Sequence, residues 1–184
     1  MGSSMTITAV VLALGLAQMR AADLKSETPT RVATVTAPSD SGGKWLSYDE
    51  RTKTVTFALD AGAPSATGPF NFDGYSQGSA TLVVPPNSKV VMNFVNKDGT
   101  PHSAEIIADT DPMPNMGGDP AIPGAYTTNL SQGLPQGGTD VLNFTAPGSG
   151  SFRIFCGVPG HGLSGMWIRF RVDPKAKQPS FITG

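Results

Sequence analysis

The chain has 184 residues, with 13 basic and 14 acidic side chains and a formal net charge of −1. This length favours one domain with a real core, and the balanced charge excludes the basic footprint of a nucleic-acid-binding protein. With 22 glycines, 16 prolines and one cysteine, the composition indicates a turn-rich, all-β domain and excludes an internal disulfide framework.

Residues 1–25 are predicted to be a hydrophobic signal or anchor remnant with a linker, and residues 26–184 a single domain. The apolar run Thr6–Ala17 has the length of a signal-peptide core and is too short to span a bilayer alone. It lacks a preceding basic segment and a clear A-x-A cleavage site. A buried helix or strand is the alternative interpretation of this run.

Alternating apolar residues and turn signals predict about ten short strands in chain order. These predicted strands cover residues 31–35, 45–48, 52–59, 70–72, 79–84, 89–95, 102–108, 140–145, 151–156 and 166–172. The second and third are expected to form a hairpin. Residues 109–138 form a long Pro/Gly-rich loop, and a loop of this length is usually functional. The pattern predicts an all-β, Greek-key β-sandwich.

The last two predicted strands bring two sulfur atoms toward one end of the domain. Period two places Cys156 on the apolar face of residues 151–156, and Met166 on the apolar face of residues 166–172. The loop between them must then carry His161 back over the same end of the sheet.

Cys156, His161 and Met166 are spaced C-x4-H-x4-M within a loop rich in glycine and proline. Each has an ordinary alternative explanation, as an inert buried thiol, a polar loop residue and core filler. Together, however, the only cysteine, one of two histidines and a methionine at equal intervals predict a metal site. His102, the other histidine, is the candidate for the fourth ligand; its alternative is a strand-end histidine bonded to the backbone.

A thiolate, two imidazoles and a weak axial thioether are the ligands of a blue-copper electron-transfer site. Zinc prefers four tight ligands and rarely accepts a thioether, so this set favours one copper ion that alternates between Cu(I) and Cu(II). Ser103 is expected to bond toward the Cys156 loop or to be a plain surface serine. A small uncharged surface around His161 is the expected electron port, formed by Pro159, Gly160, Gly162 and Leu163.

His102-Ser103, followed by the ligands within FRIFCGVPGHGLSGMWIRFRV, resembles the cupredoxins, the small blue copper proteins. The ligand spacing is similar to that of rusticyanin, and GVPGHGLSGMW is most similar to the sulfocyanins of acidophilic archaea. The resemblance covers roughly residues 40–174. It implies a cupredoxin sandwich with one type 1 copper held by His102, Cys156, His161 and Met166.

The resemblance also implies one-electron transfer in a respiratory chain outside the membrane. The expected partners are a redox protein donor and a terminal oxidase or similar acceptor, with no nucleic acid. The expected location is extracytoplasmic, with membrane association through the N-terminus, and the expected state is a monomer. Sulfocyanins usually carry an N-terminal membrane anchor, and the short run at Thr6–Ala17 departs from that pattern.

Three other functions remain open at this point. A copper oxidase or nitrite reductase needs a second copper with several more imidazoles, and the chain has only two histidines. A hydrolase with Cys156 as nucleophile and His161 as base leaves the position of Met166 unexplained. A metal-free binding or adhesion domain is the third possibility, which metal analysis distinguishes.

Overall fold

The computed structural model describes residues 1–2 and 45–184, so the predicted apolar run and the strand at residues 31–35 lie outside it. The described part contains nine strands and no helix. They are β1 Leu46–Asp49, β2 Thr54–Ala61, β3 Ala80–Val84, β4 Lys89–Asn96, β5 Glu105–Ala108, β6 Thr139–Thr145, β7 Gly150–Phe155, β8 Trp167–Val172 and β9 Ser180–Thr183. No segment within these ranges is a helix that could cross a membrane.

The nine strands form two sheets packed as a β-sandwich. One sheet has the order β1-β2-β4-β6 and the other β5-β7-β8-β3-β9. Most neighbours are antiparallel, but β2 pairs with β4 and β3 pairs with β8 in parallel. This architecture confirms the predicted all-β sandwich.

The core lies between the sheets, where alternate residues of each strand are buried. In β4, Val90, Met92 and Phe94 are buried while Asn93 is exposed, as the period of two requires. Ile154 in β7 and Phe170 in β8 come from the facing sheet into the same core cluster. Aromatic and β-branched side chains suit a pleated, half-buried surface. Their alternation along the sequence was therefore sufficient to predict β7 and β8.

The structure differs from the predicted strands at His102, at residues 70–72 and at the C-terminal end of the chain. His102 does not begin β5; it forms an isolated bridge with Leu134, three residues before the strand starts. The bridge replaces a strand because His102 pairs with the long loop rather than with a sheet neighbour. Residues 70–72 also remain in a loop, where Phe72 makes bridges to Ala61 and Tyr75. Strand β9 was not predicted.

Asp73, on the loop between β2 and β3, carries a buried carboxyl group. Its Oδ1 accepts a hydrogen bond from the Asp60 backbone N–H at 2.9 Å. Its Oδ2 is inaccessible and has no hydrogen-bond partner among the described residues. Burial raises the pKa of Asp73 to about 8, even though the residue as a whole is only half-buried. The charge of Asp60 adds to this rise, and Lys97 opposes it.

The contribution of Asp73 to the free energy of unfolding should therefore fall as the pH rises from 3.8 toward about 8. The folded chain holds the Asp73 proton to about pH 8, whereas the unfolded chain releases it near its ordinary value of 3.8. The stabilisation by the buried, protonated Asp73 is complete below pH 3.8. Between pH 3.8 and about 8 it is lost at up to about 1.4 kcal/mol per pH unit. Denaturant unfolding at a series of pH values measures this slope.

Asp73→Asn mimics the protonated carboxyl and should flatten the slope, while Glu50→Gln, a change at an exposed turn, should leave it unaltered. Equal slopes for the wild type and Asp73→Asn would show that Asp73 ionises normally.

Candidate metal centre

The ligand loop is closed by backbone hydrogen bonds between the ends of β7 and β8. Cys156 directly follows β7, and its N–H donates to the Met166 carbonyl at 3.1 Å. Met166 directly precedes β8, and its N–H donates to the His161 carbonyl at 3.0 Å. Because β7 and β8 are antiparallel neighbours, their pairing fixes both ends of the loop and brings its three predicted ligands to one place.

His102 reaches the same place from the segment between β4 and β5. Its backbone pairs with Leu134, through His102 N–H to Leu134 carbonyl at 3.1 Å and the reverse bond at 2.7 Å. On the far side of the ring, Nε2 lies 3.2 Å from Asp98 Oδ1. Nε2 has no hydrogen-bond partner among the described residues. The approach to Asp98 is therefore a close polar contact that lacks the direction of a good hydrogen bond. The carboxylate orients the imidazole so that Nδ1 points toward Cys156 and His161.

Three candidate ligand atoms converge at this point. His102 Nδ1 lies 3.3 Å from His161 Nδ1, and Cys156 Sγ lies 3.5 Å from His161 Nδ1. All three atoms are within 4.8 Å of one another. At the usual metal–nitrogen distance of about 2.0 Å, one ion in a trigonal plane separates two ligand nitrogens by roughly 3.3–3.5 Å. The spacing therefore fits a single bound ion.

Burial favours the neutral form of both imidazoles and the protonated form of the thiol. Loss of hydration lowers the pKa of His102 and of His161, although Asp98 opposes both shifts. Burial raises the pKa of the Cys156 thiol, while the Ser103 N–H facing the sulfur acts in the opposite direction. A neutral imidazole pair is ready to bind metal, and a metal displaces the thiol proton.

Ser103 joins the His102 segment to the Cys156 loop. Its backbone N–H points at Cys156 Sγ across 3.5 Å. Its hydroxyl donates to the Leu130 carbonyl at 2.7 Å and accepts from the Gly157 N–H at 3.0 Å. Ser103 is fully buried, so it is not a surface residue, and it holds three segments around the sulfur.

Met166 is fully buried beside Cys156 and His161, to which its backbone is bonded. Its assignment as the weak axial ligand remains a prediction. The donor set of one thiolate and two imidazoles, with a thioether residue next to them, matches copper rather than the four tight ligands of zinc. The residues present therefore fit a type 1 copper ion.

The predicted electron port is only partly at the surface. Pro159 and Leu163 are exposed, with Leu163 at 59%, and Gly160 is half-buried. Gly162, in contrast, is buried, because the ring of Phe155 packs directly against it. Its role is thus to admit the ring rather than to offer a surface.

Sequence reasoning missed several residues that shape the site. Phe70 lies over His161 with ring centroids 4.8 Å apart. The long loop is bonded to the ligand loop, through Gly117 N–H to Gly157 carbonyl and Gly160 N–H to Asn115 carbonyl, both at 2.8 Å. Only the length of that loop hinted at such a role, since these contacts have no periodic signature in the sequence.

The chain matches the model of the Sulfocyanin (SoxE) domain over residues 41–183. It belongs to the sulfocyanin family. It is 31% identical over 127 residues to a sulfocyanin of Sulfolobus acidocaldarius, across 65% of this chain and 64% of that protein. The chain thus matches slightly less than two thirds of that relative. The predicted resemblance is confirmed, and the chain is a blue copper cupredoxin.

Solved structures of other cupredoxins are similar to the described domain. A rusticyanin variant has 28% identity and a TM-score of 0.50, covering 66% of this chain and 78% of its own. An auracyanin from Roseiflexus castenholzii has 19% identity and a TM-score of 0.46, covering 65% of this chain and 97% of its own. Sulfocyanin-like and rusticyanin-like members of the cupredoxins are electron carriers and not enzymes.

Gly162→Ala should distort this sulfocyanin-type centre. A Cβ at Gly162 overlaps the ring of Phe155, so either the ring or the His161 loop must move. We expect a loss of about 1–3 kcal/mol in the free energy of unfolding and weaker copper binding by the apo protein. Copper titration and thermal unfolding measure the two effects.

Gly148→Ala is the matched control, because a Cβ there meets nothing within 4 Å. It should leave both quantities unchanged. Wild-type copper affinity in Gly162→Ala would contradict the packing argument.

Proposed function

We propose that this chain carries single electrons between respiratory-chain proteins outside the membrane. The observation that supports this proposal best is the convergence of Cys156 Sγ and the two Nδ1 atoms in a buried pocket. His102 and Cys156 are buried, and the rim at His161 is only half-exposed. An electron can leave such a buried centre through a ligand, whereas a substrate would need direct access to the ion.

In this proposal the protein holds one geometry for both oxidation states. Copper, when bound, supplies the one-electron redox change. Cys156 would hold the copper through its thiolate, His102 and His161 through their imidazoles, and Met166 more weakly through its thioether. The Ser103 N–H withdraws electron density from the Cys156 sulfur, which favours the reduced state. Backbone bonds at both ends of the loop limit rearrangement when the electron moves.

The edge of His161 is the proposed exit for the electron, because this ligand alone of the three is not fully buried. The loops that meet around it contain no charged residue. They are residues 62–72, 99–104, 112–118, 128–138 and 157–165. Leu163 and Pro159 are exposed beside His161. Asp98, beside His102, lies just outside these loops, and its side chain is 22% exposed. A partner that contacts the loops themselves can approach closely without removing water from a charge on them.

The alternative is a copper-dependent oxidase or reductase subunit. Such reactions need a second copper site, and the whole chain has one other histidine besides His161. That histidine, His102, already lies at the first site. An enzyme is possible only if subunits share ligands, so we favour the carrier.

The proposed partners are a redox protein donor and a terminal oxidase or similar acceptor, and the proposed carrier is monomeric. The apolar run Thr6–Ala17 supports an extracytoplasmic location, with attachment to the membrane through this segment. Fractionation of cells that make the full chain, with and without residues 6–17, tests this location. Equal release of both forms into the cytoplasm would contradict it.

The oxidised, copper-loaded protein should absorb visible light intensely, through charge transfer from the Cys156 thiolate. Cys156→Ser should abolish this band. Met166→Leu should keep the copper and raise the reduction potential, by roughly 59 mV for a tenfold change in the oxidised-to-reduced ratio. Absorption spectra and redox titration measure both changes.

A band that persists in Cys156→Ser would mean that another residue is the strong ligand. An unchanged potential in Met166→Leu would mean that a different group is axial. Rapid oxygen or nitrite turnover by the reduced wild type would favour the enzyme instead.

Electron self-exchange between oxidised and reduced copies should depend little on ionic strength, because two uncharged surfaces meet. Leu163→Lys places a charge on both surfaces and should slow exchange at least tenfold at low salt, with partial recovery as salt is added. NMR line broadening in mixtures of the two states measures the rate.

Ser149→Lys is the control for the added charge. Ser149 is exposed in the turn before β7, at the end of this strand remote from Cys156. An equal effect of both substitutions would show that net charge, and not the surface at His161, governs the encounter.

A further inference from the structure

Phe70 is the aromatic residue that covers both histidine rings. Its ring centroid lies 4.8 Å from that of His161, at an interplanar angle of 58°. It lies 6.5 Å from the ring of His102, nearly perpendicular at 84°. Both histidines therefore have the same apolar neighbour, contributed by a loop that supplies no ligand itself.

The position of Phe70 is fixed by the residue that follows it. Asn71 is fully buried, and its Nδ2 donates to the carbonyls of Ala63 at 2.9 Å and Gly68 at 2.7 Å. Its Oδ1 accepts from the Gly74 N–H at 2.8 Å. These three bonds tie the loop to itself on both sides of Phe70, so the ring is held over the histidines by a built structure.

We propose that Phe70 is a positioning residue that holds the His161 imidazole and excludes water from it, thereby raising the reduction potential. His161 sits in a loop without strand pairing, so a tilted aromatic ring packed against the imidazole, with centroids 4.8 Å apart, limits its rotation. This proposal rests on the function proposed above and adds a residue that determines the driving force of electron transfer.

The direction of the effect follows from charge. One thiolate with Cu(II) carries a net charge of +1, whereas the same thiolate with Cu(I) is neutral. An apolar surface that replaces water destabilises the charged form more than the neutral one. The apolar surroundings of a metal centre control its potential in this way. Phe70 therefore favours the reduced state.

Phe70→Ala opens the histidine rings to water and should shift the balance at least tenfold toward the oxidised state. For a one-electron couple this lowers the potential by at least about 59 mV. Phe70→Leu keeps an apolar cover and should lower it less; it serves as the test if the alanine variant does not fold. Redox titration of the copper-loaded proteins measures the potential, and thermal unfolding measures stability.

Phe152→Ala is the matched control. Phe152 is also a half-buried aromatic on the core, but it packs on Phe170 and lies four residues before Cys156 along β7, roughly 13 Å away. It should lose stability without a change in potential.

The proposal is overturned if Phe70→Ala and Phe70→Leu keep the wild-type potential, or if Phe152→Ala shifts it equally. A wild type without the intense visible band would instead overturn the proposed function, so the two failures are distinguishable.

Discussion

The hydrogen bond from the Cys156 N–H to the Met166 carbonyl is the interaction on which the centre depends. It continues the pairing of β7 and β8 by one step beyond both strands. The loop it closes has to return over the end of the sheet, and this return brings His161 Nδ1 to 3.5 Å from Cys156 Sγ. The sandwich thus shapes the site through the pairing of β7 and β8. The hydrophobic core holds these two strands in register.

The second half of the fold was predictable because its residues alternate. Period two located β7 and β8 and placed Cys156 and Met166 on the inward face, where both are fully buried. The ligand spacing identified the metal because few chains place a thiol, an imidazole and a thioether so close together. His102 was predictable only by elimination, as the sole remaining histidine.

The surroundings of the ligands were not predictable in the same way. Phe70 reaches His161 from 91 positions earlier in the chain, and Leu130 receives the bond from Ser103 across 27 positions. Such contacts are set by tertiary packing and leave no local pattern. Gly162 shows the same limit: its neighbours suggested an exposed turn, whereas the ring of Phe155 from β7 buries it.

Charged side chains are distributed unevenly between the five-stranded sheet and the loops around His161. On the outer face of the five-stranded sheet, Arg153 binds Asp109 at 2.6 Å and lies over the ring of Trp167 at 4.9 Å. Arg169 approaches the other oxygen of Asp109 at 3.5 Å. These ion pairs lie on the five-stranded sheet, whereas the loops around His161 contain no charged residue.

The long loop explains how a site with so few strand residues keeps its shape. Gly117 and Asn115 bond to the ligand loop on either side of Val158, while the fully buried Glu105 accepts the Gly118 N–H at 3.2 Å. Burial raises the pKa of Glu105, and the hydrogen bond from the Gly118 N–H acts in the opposite direction. The loop thus forms a second wall of the centre.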